Sequence, residues 1–140
     1  MESDRGQRHP VVLVYSHRPE VRDSIVTAIG RRPAPDVGRV DFLEVATVAD
    51  VLAAVDDRTA DVLVLDGEAQ PTGGMGISRQ IHMEIPEGQP VPPVVLTVGR
   101  NADRWLATWA KADEILVHPL DPVTAAETVA GVLRRLPART

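Results

Sequence analysis

The chain has 140 residues, of which 44% are hydrophobic and 25% are charged, and it contains no cysteine. These proportions are typical of one globular domain, and the lack of cysteine excludes disulfide scaffolds, iron–sulfur ligation and thiol catalysis. The formal net charge of -5 argues against non-specific binding to nucleic acid, and no apolar run approaches the ~18 residues that span a bilayer. We therefore expect a cytoplasmic protein that binds neither nucleic acid nor membrane.

The polar ends of the chain predict two tails around a single domain. Residues 1–9 predict a flexible N-terminal tail, residues 10–136 the domain, and residues 137–140 a C-terminal tail. Because the sequence ends four residues after the last predicted helix, we expect it to have no separate output domain.

The first half of the domain alternates predicted strands and helices. Val11–Tyr15 is an uninterrupted apolar run, which predicts a strand buried on both faces. Pro19 suits the first turn of a helix, and Gly30 suits its end. Val40–Ala46 predicts a second strand, after which Thr47 begins a Thr-x-x-Asp capping pattern for a second helix.

The middle of the chain contains the clearest strand. Asp61–Asp66 places four apolar residues between two aspartates. A loop with several glycines follows, and then isoleucines at every fourth position, Ile77, Ile81 and Ile85, predict a third helix.

The last part continues the same alternation. Val94–Val98 predicts a fourth strand, and Asn101 can cap a fourth helix. Ile115–Val117 predicts a short fifth strand, and Asp121 followed by proline suits the start of a fifth helix.

Strict alternation of five strands and five helices predicts an α/β domain with a doubly wound parallel sheet, flavodoxin-like, in the strand order 2-1-3-4-5. In such sheets, ligands and chemistry gather beyond the carboxyl ends of the strands. The polar residues that the sequence places there are Ser16, His17, Asp66, Thr97 and His118.

This set of residues resembles the receiver domain of two-component response regulators over about residues 10–136. The resemblance implies that Asp66, which closes the run VLVLD, occupies the phosphoacceptor position. It also implies that Thr97 in VVLTVG is the hydroxyl residue that the family places at the end of strand 4.

Two other family positions differ in this sequence. Ser16 and His17 stand where the family has an acidic pair, and His118-Pro119 stands where it has Lys-Pro. Receivers hold Mg²⁺ with carboxylates and a backbone carbonyl, so only the Asp66 carboxylate and the Glu68 carbonyl remain at matching positions. Since Mg²⁺ prefers oxygen ligands, we expect its binding to be weak or absent, and we expect no cofactor.

Other interpretations of the same residues stay open. Asp66 can be a phosphoacceptor, or a buried carboxylate that caps backbone N–H groups or pairs with His118. His17, Asp66 and His118 could together form a metal or small-molecule site, because imidazole suits Zn²⁺ and Cu²⁺.

Trp105 and Trp109 lie four residues apart on the helix predicted after Asn101. They can pack against the domain, or they can form a protein-contact surface, in which Trp is enriched. In receiver domains this helix belongs to a common dimer or partner surface, which favours the second interpretation.

These observations predict an atypical single-domain receiver that is not an enzyme. We expect it to signal through protein contacts, as a homodimer or with a histidine kinase or downstream regulator, without conventional phosphorylation. The alternatives are a response regulator that is phosphorylated on Asp66, or a flavodoxin-like domain that binds a metal or small molecule.

Overall fold

The fold was obtained from a computed structural model, which describes residues 9–68, 73–85, 91–99 and 111–136. Five strands run through these residues: β1 (Val11–Tyr15), β2 (Asp41–Val45), β3 (Val62–Asp66), β4 (Val94–Val98) and β5 (Glu114–Val117). Four helices lie in the same residues: α1 (Pro19–Ile29), α2 (Val48–Asp56), α3 (Gly74–Glu84) and α4 (Pro122–Arg134). The helix predicted after Asn101 lies outside the described residues.

The strands form one parallel sheet in the order β2-β1-β3-β4-β5, as the sequence predicts. β3 and β4 are buried at all five of their positions, because helices cover both faces of the sheet at its centre. β2 is an edge strand, and its first and fourth residues, Asp41 and Glu44, are exposed.

Alternate side chains of the strands supply two separate apolar cores, one on each face. On the first face, Leu13, Leu63 and Leu96 pack with residues of α2 and α3. On the second face the strands contribute mainly valines, which pack with α1 and α4: Val12, Val14, Val62, Val64 and Val95. Within the described residues, no helix is both long and apolar enough to cross a bilayer.

The helix ends follow the sequence signals. The Thr47 hydroxyl accepts the Asp50 N–H at 3.1 Å, and the Asp121 carboxylate accepts the Thr124 N–H at 2.9 Å. α1 begins at Pro19 and is capped by Gly30, whose φ of 75° is a conformation that glycine adopts without strain.

Two aspartates close the amino end of the sheet in the same way. Asp61 donates its N–H to the Val11 carbonyl at 2.8 Å, and its side chain accepts the Val11 N–H at 2.7 Å. Asp113 makes the same pair of bonds with Val94, both at 2.8 Å. Each aspartate therefore fixes the first residue of a neighbouring strand, and we call the two of them the aspartate straps.

Candidate functional site at the carboxyl end of the sheet

Three polar side chains lie side by side at the carboxyl end of the three central strands. Asp66 is paired in register with Thr97, and Ser16 follows Tyr15, the partner of the residue before Asp66. Ser16 and Thr97 are fully buried, and Asp66 is 1% exposed. The register of β1, β3 and β4 thus brings Ser16, Asp66 and Thr97 together at one end of the sheet.

Both oxygens of the Asp66 carboxylate accept hydrogen bonds. The Ser16 hydroxyl donates to Oδ2 at 2.8 Å, and the Glu68 N–H donates to Oδ1 at 2.9 Å. Both donors are neutral groups, so in the part of the chain that the structure describes the Asp66 carboxylate is held by hydrogen bonds and not by an ion pair. The bond from Ser16 takes up one lone-pair direction of Oδ2 and lowers the nucleophilicity of that oxygen.

Ser16 is held in place by bonds from several directions. Its hydroxyl accepts the Arg18 N–H at 3.1 Å while donating to Asp66. Its own N–H donates to the Val45 carbonyl at 3.3 Å, and its carbonyl accepts from the Arg22 guanidinium at 2.7 Å. Sequence reasoning placed Ser16 at this site but missed Arg22, since an arginine in the first turns of a helix is usually a solvated surface residue.

Thr97 is buried beside Asp66, and its hydroxyl oxygen has no hydrogen-bond partner in the part of the chain that the structure describes. The Thr97 carbonyl accepts the Gly67 N–H at 2.7 Å. A Cβ on residue 67 would lie 2.8 Å from that carbonyl oxygen, so the chain leaving β3 can approach β4 this closely only with glycine there.

Glu68 lies against the end of β4. A Cβ on Gly99 would lie 2.6 Å from the Glu68 carboxylate oxygen Oε2, so the missing side chain of Gly99 leaves the space that the carboxylate fills. The residue was predicted to contribute its carbonyl; the structure adds that its N–H binds Asp66 and that its carboxylate lies close to the β4 terminus.

Within the described ranges, His17 and His118 form no metal-ligating cluster with Asp66. His17 and His118 are both partly exposed, and Pro119, which follows His118, is exposed. His118 donates its backbone N–H to the Val98 carbonyl at 2.9 Å, but no side-chain bond from His118 to Asp66 occurs among the described residues. In these same ranges no three His, Asp or Glu side chains are arranged to hold a metal ion, so the arrangement gives the metal interpretation no support.

The charge of Asp66 acts on its other neighbour in β1. Burial raises the pKa of the Tyr15 phenol, and the negative charge of Asp66 raises this pKa further. Tyr15 is fully buried and therefore remains a neutral phenol at physiological pH.

The predicted contact residues Trp105 and Trp109 lie outside the described residues. They stay predictions from the sequence.

The parallel sheet thus has an aspartate at the end of its third strand and a threonine one residue before the end of its fourth. No protein-family profile matches the chain. An uncharacterized response regulatory protein of Mycobacterium tuberculosis, recorded in two strains, is 40% identical over 123 residues, which cover 88% of this chain and 90% of that protein. The chain therefore belongs to the response regulators.

Solved receiver domains share the fold. The receiver domain of a Francisella response regulator superposes with a TM-score of 0.73 at 16% identity, covering 91% of this chain and 98% of that one. The receiver domain of NtrX from Brucella abortus gives 0.69 at 21% identity, with 89% and 99% covered. The chemotaxis response regulator CheY4 of Vibrio cholerae gives 0.69 at 17% identity, with 89% and 98% covered.

Proposed function

We propose that this response regulator is an atypical receiver that signals through protein contacts and does not use Mg²⁺-dependent phosphorylation of Asp66. The observation that carries this proposal is that Asp66 is buried and hydrogen-bonded on both oxygens, a state that we call closed. The carboxylate is 1% exposed, and each of its oxygens already accepts a hydrogen bond, one of them from Ser16. In this proposal Asp66 is a buried carboxylate that accepts hydrogen bonds from Ser16 and Glu68 and is not phosphorylated.

The charges around Asp66 support the same conclusion. Phosphoryl transfer depends on positioning and on neutralising the charge of the phosphoryl group. Ser16 and His17 replace two carboxylates that would hold Mg²⁺, and His118 replaces a lysine that is always cationic. Two unit charges ~4 Å apart interact by ~4 kcal/mol at an effective dielectric constant of ~20, so losing two carboxylates weakens cation binding by at least about a hundredfold.

The direct test is labelling of the pure protein with acetyl phosphate in the presence of Mg²⁺, followed by a phosphate-affinity gel. We expect no stable acyl phosphate on the wild-type chain. A stoichiometric shift that disappears in Asp66→Asn would overturn the proposal.

A gain-of-function variant sharpens that test. The triple substitution Ser16→Asp, His17→Asp and His118→Lys restores the charges that the family has at these positions. We expect it to bind Mg²⁺ measurably by calorimetry, with Asp66→Asn added to the triple variant as the matched control. Unchanged Mg²⁺ affinity would mean that the geometry of the site, and not its charge, prevents binding.

The remaining parts of the proposal follow from the sequence. We propose residues 10–136 as one signalling domain that is not an enzyme, located in the cytoplasm. We further propose that it acts as a homodimer or with another regulator or kinase through the surface carrying Trp105 and Trp109. Truncating a central Trp costs ~2 kcal/mol of binding, about 30-fold, so Trp109→Ala is expected to shift sedimentation toward the monomer.

A second candidate function is favoured by one observation. Asp66 and Thr97 are neighbours in register, and the buried Thr97 hydroxyl has no partner among the described residues, as if an acceptor were missing. A phosphoryl group on Asp66 could supply that acceptor. The acetyl phosphate experiment separates the two functions, because only the second requires an acyl phosphate.

A further inference from the structure

Arg22 links the Asp66 site to the edge of the sheet. Its guanidinium Nη1 donates to the Ser16 carbonyl at 2.7 Å, and its Nε lies 3.4 Å from Oε1 of Glu44 in β2. The Arg22 side chain is only 17% exposed, whereas the Glu44 side chain is 42% exposed. A largely buried cation therefore lies between the residue that closes Asp66 and a carboxylate at the surface.

The hydrogen bonds on the Ser16 backbone fix the position from which its hydroxyl reaches Asp66. The N–H of Ser16 is fixed to β2 through the Val45 carbonyl, and its carbonyl is fixed by Arg22. With both ends of the residue held, the hydroxyl lies 2.8 Å from Asp66 Oδ2.

We propose that Arg22 is the positioning residue of this site: by holding the Ser16 carbonyl, it keeps the Ser16 hydroxyl on Asp66 and the carboxylate closed. This inference rests on the proposed function, in which a closed Asp66 is the normal state of the protein. On its other side the Arg22 guanidinium faces the exposed edge strand, where its buried Nε lies 3.4 Å from Oε1 of Glu44 and has no hydrogen-bond partner among the described residues. Asp66 is thereby connected to the outer surface of β2 through Ser16, Arg22 and Glu44.

The guanidinium group suits this role better than an ammonium group. It presents N–H donors in a planar fork, so it can bind the Ser16 carbonyl with one nitrogen and face Glu44 with another. A lysine at residue 22 would keep the charge but could not reach both groups with the same geometry.

The experiment measures how readily the Asp66 carboxylate reacts in the folded protein. A water-soluble carbodiimide and glycinamide convert accessible carboxylates to amides, and mass spectrometry of peptides gives the rate at each residue at low total modification. We expect Asp66 to react slowly in the wild type and about tenfold faster in Arg22→Met, because a hydrogen bond from a charged donor to the Ser16 carbonyl is lost. An unchanged rate at Asp66 in folded Arg22→Met would overturn the proposal.

Two control variants separate positioning from general loosening. Arg22→Lys is expected to give an intermediate rate. Arg134→Met removes an arginine that forms a bidentate ion pair with Asp36 far from the site in sequence, and it is expected to leave the Asp66 rate unchanged. An equal increase in Arg134→Met would contradict a specific role for Arg22.

A double-mutant cycle tests whether Arg22 acts through Ser16. Ser16→Ala removes the hydroxyl, so adding Arg22→Met to it is expected to cause no further increase at Asp66. An independent, multiplicative increase would overturn the proposed path. Acyl phosphate formation on the wild-type chain would overturn the proposed function without changing this cycle, so the two failures are distinguishable.

A measurement on the wild type keeps the proposal testable if Arg22→Met does not fold. The Nε–H of Arg22 is buried, and we expect NMR to show its exchange with solvent slowed by at least about tenfold relative to exposed arginines such as Arg135. Because Nη1 and not Nε binds the Ser16 carbonyl, this exchange reports whether the side chain stays in its buried position, and exchange as fast as that of Arg135 would overturn the proposal.

Discussion

Strand β3 carries an aspartate at each end, and the two aspartates have different environments. Asp61 lies just before the strand, is partly exposed, and bonds to the first residue of β1 with both its N–H and its carboxylate. Asp66 ends the strand, is 1% exposed, and accepts bonds from Ser16 and Glu68. An aspartate side chain thus stabilises strand pairing at the start of β3, and another forms a buried charge at its end.

The comparison shows that the free-energy cost of placing a carboxylate at the end of a strand depends on how much water it keeps. Asp61 keeps contact with water while it accepts a backbone N–H, so its charge strengthens a hydrogen bond at little desolvation cost. Asp66 gives up nearly all of its hydration and receives only neutral donors among the described residues, which leaves part of the desolvation penalty uncompensated. Asp61 is therefore expected to stabilise the fold, whereas Asp66 is expected to contribute little to its stability.

The largest expected effect comes from removing both aspartate straps. Asp61→Ala and Asp113→Ala each leave a strand N–H without its charged acceptor, and we expect each to lower the free energy of unfolding by about 1.5 to 2 kcal/mol. The two carboxylates accept N–H groups of different strands, so the double variant is expected to lose about 3 to 4 kcal/mol. Urea denaturation measures these values.

Asp23→Ala is a suitable control for the straps, because Asp23 is an exposed residue of α1 and its change is expected to stay within about 0.5 kcal/mol. A double strap variant as stable as this control would mean that water replaces the carboxylates at no cost.

A change of charge without a change of shape is expected to have opposite signs at the two ends of β3. Asp61→Asn weakens a charge-assisted bond, so we expect it to destabilise the fold by about 1 kcal/mol. Asp66→Asn removes a buried charge and retains one acceptor, so we expect it to leave stability unchanged or to raise it by about 1 kcal/mol. If thermal or urea unfolding instead gave equal losses at both positions, Asp66 would be a structural residue of the same kind as Asp61.

The smallest expected effect concerns Asp36, an exposed carboxylate that serves as a reference for Asp61 and Asp66. The hydrogen bonds from Arg134 lower the pKa of Asp36. A lowered pKa in the folded state stabilises the protein above the unfolded value of about 3.9, and this contribution is lost as the pH falls through the folded value. We expect urea midpoints, measured from pH 7 to pH 3, to fall below pH ~4 in both proteins. The fall is expected to be slightly less steep for Asp36→Asn than for the wild type. Parallel curves would mean that solvent screens the Asp36–Arg134 pair completely.

Much of this fold could be predicted from local sequence. The five short apolar runs give the five strands, and the alternation with helices gives the parallel order, because few topologies connect such elements. The caps at Thr47 and Asp121 were predictable for the same reason, since each bonds a backbone group only three residues away.

The rest depends on contacts between residues far apart in the chain. Asp61 was visible as the residue before a strand, but its bond to Val11 spans 50 residues and exists only once β1 and β3 are in register. The sequence also shows Ser16 where the family has an acidic residue. It does not show that the Ser16 hydroxyl donates a hydrogen bond to Asp66. The part played by Arg22 depends on the position of α1 over the ends of β1 and β2, which no local pattern specifies.

The two bonds of the Ser16 hydroxyl have a fixed direction. A hydroxyl has one proton, and since the Asp66 carboxylate can only accept, that proton points from Ser16 to Asp66. The other side of the oxygen then receives the N–H of Arg18, the residue that caps α1. The partial positive charge at the amino terminus of α1 is in this way relayed through a single oxygen to the buried carboxylate, so part of the stabilisation that a metal ion would give comes from a helix dipole.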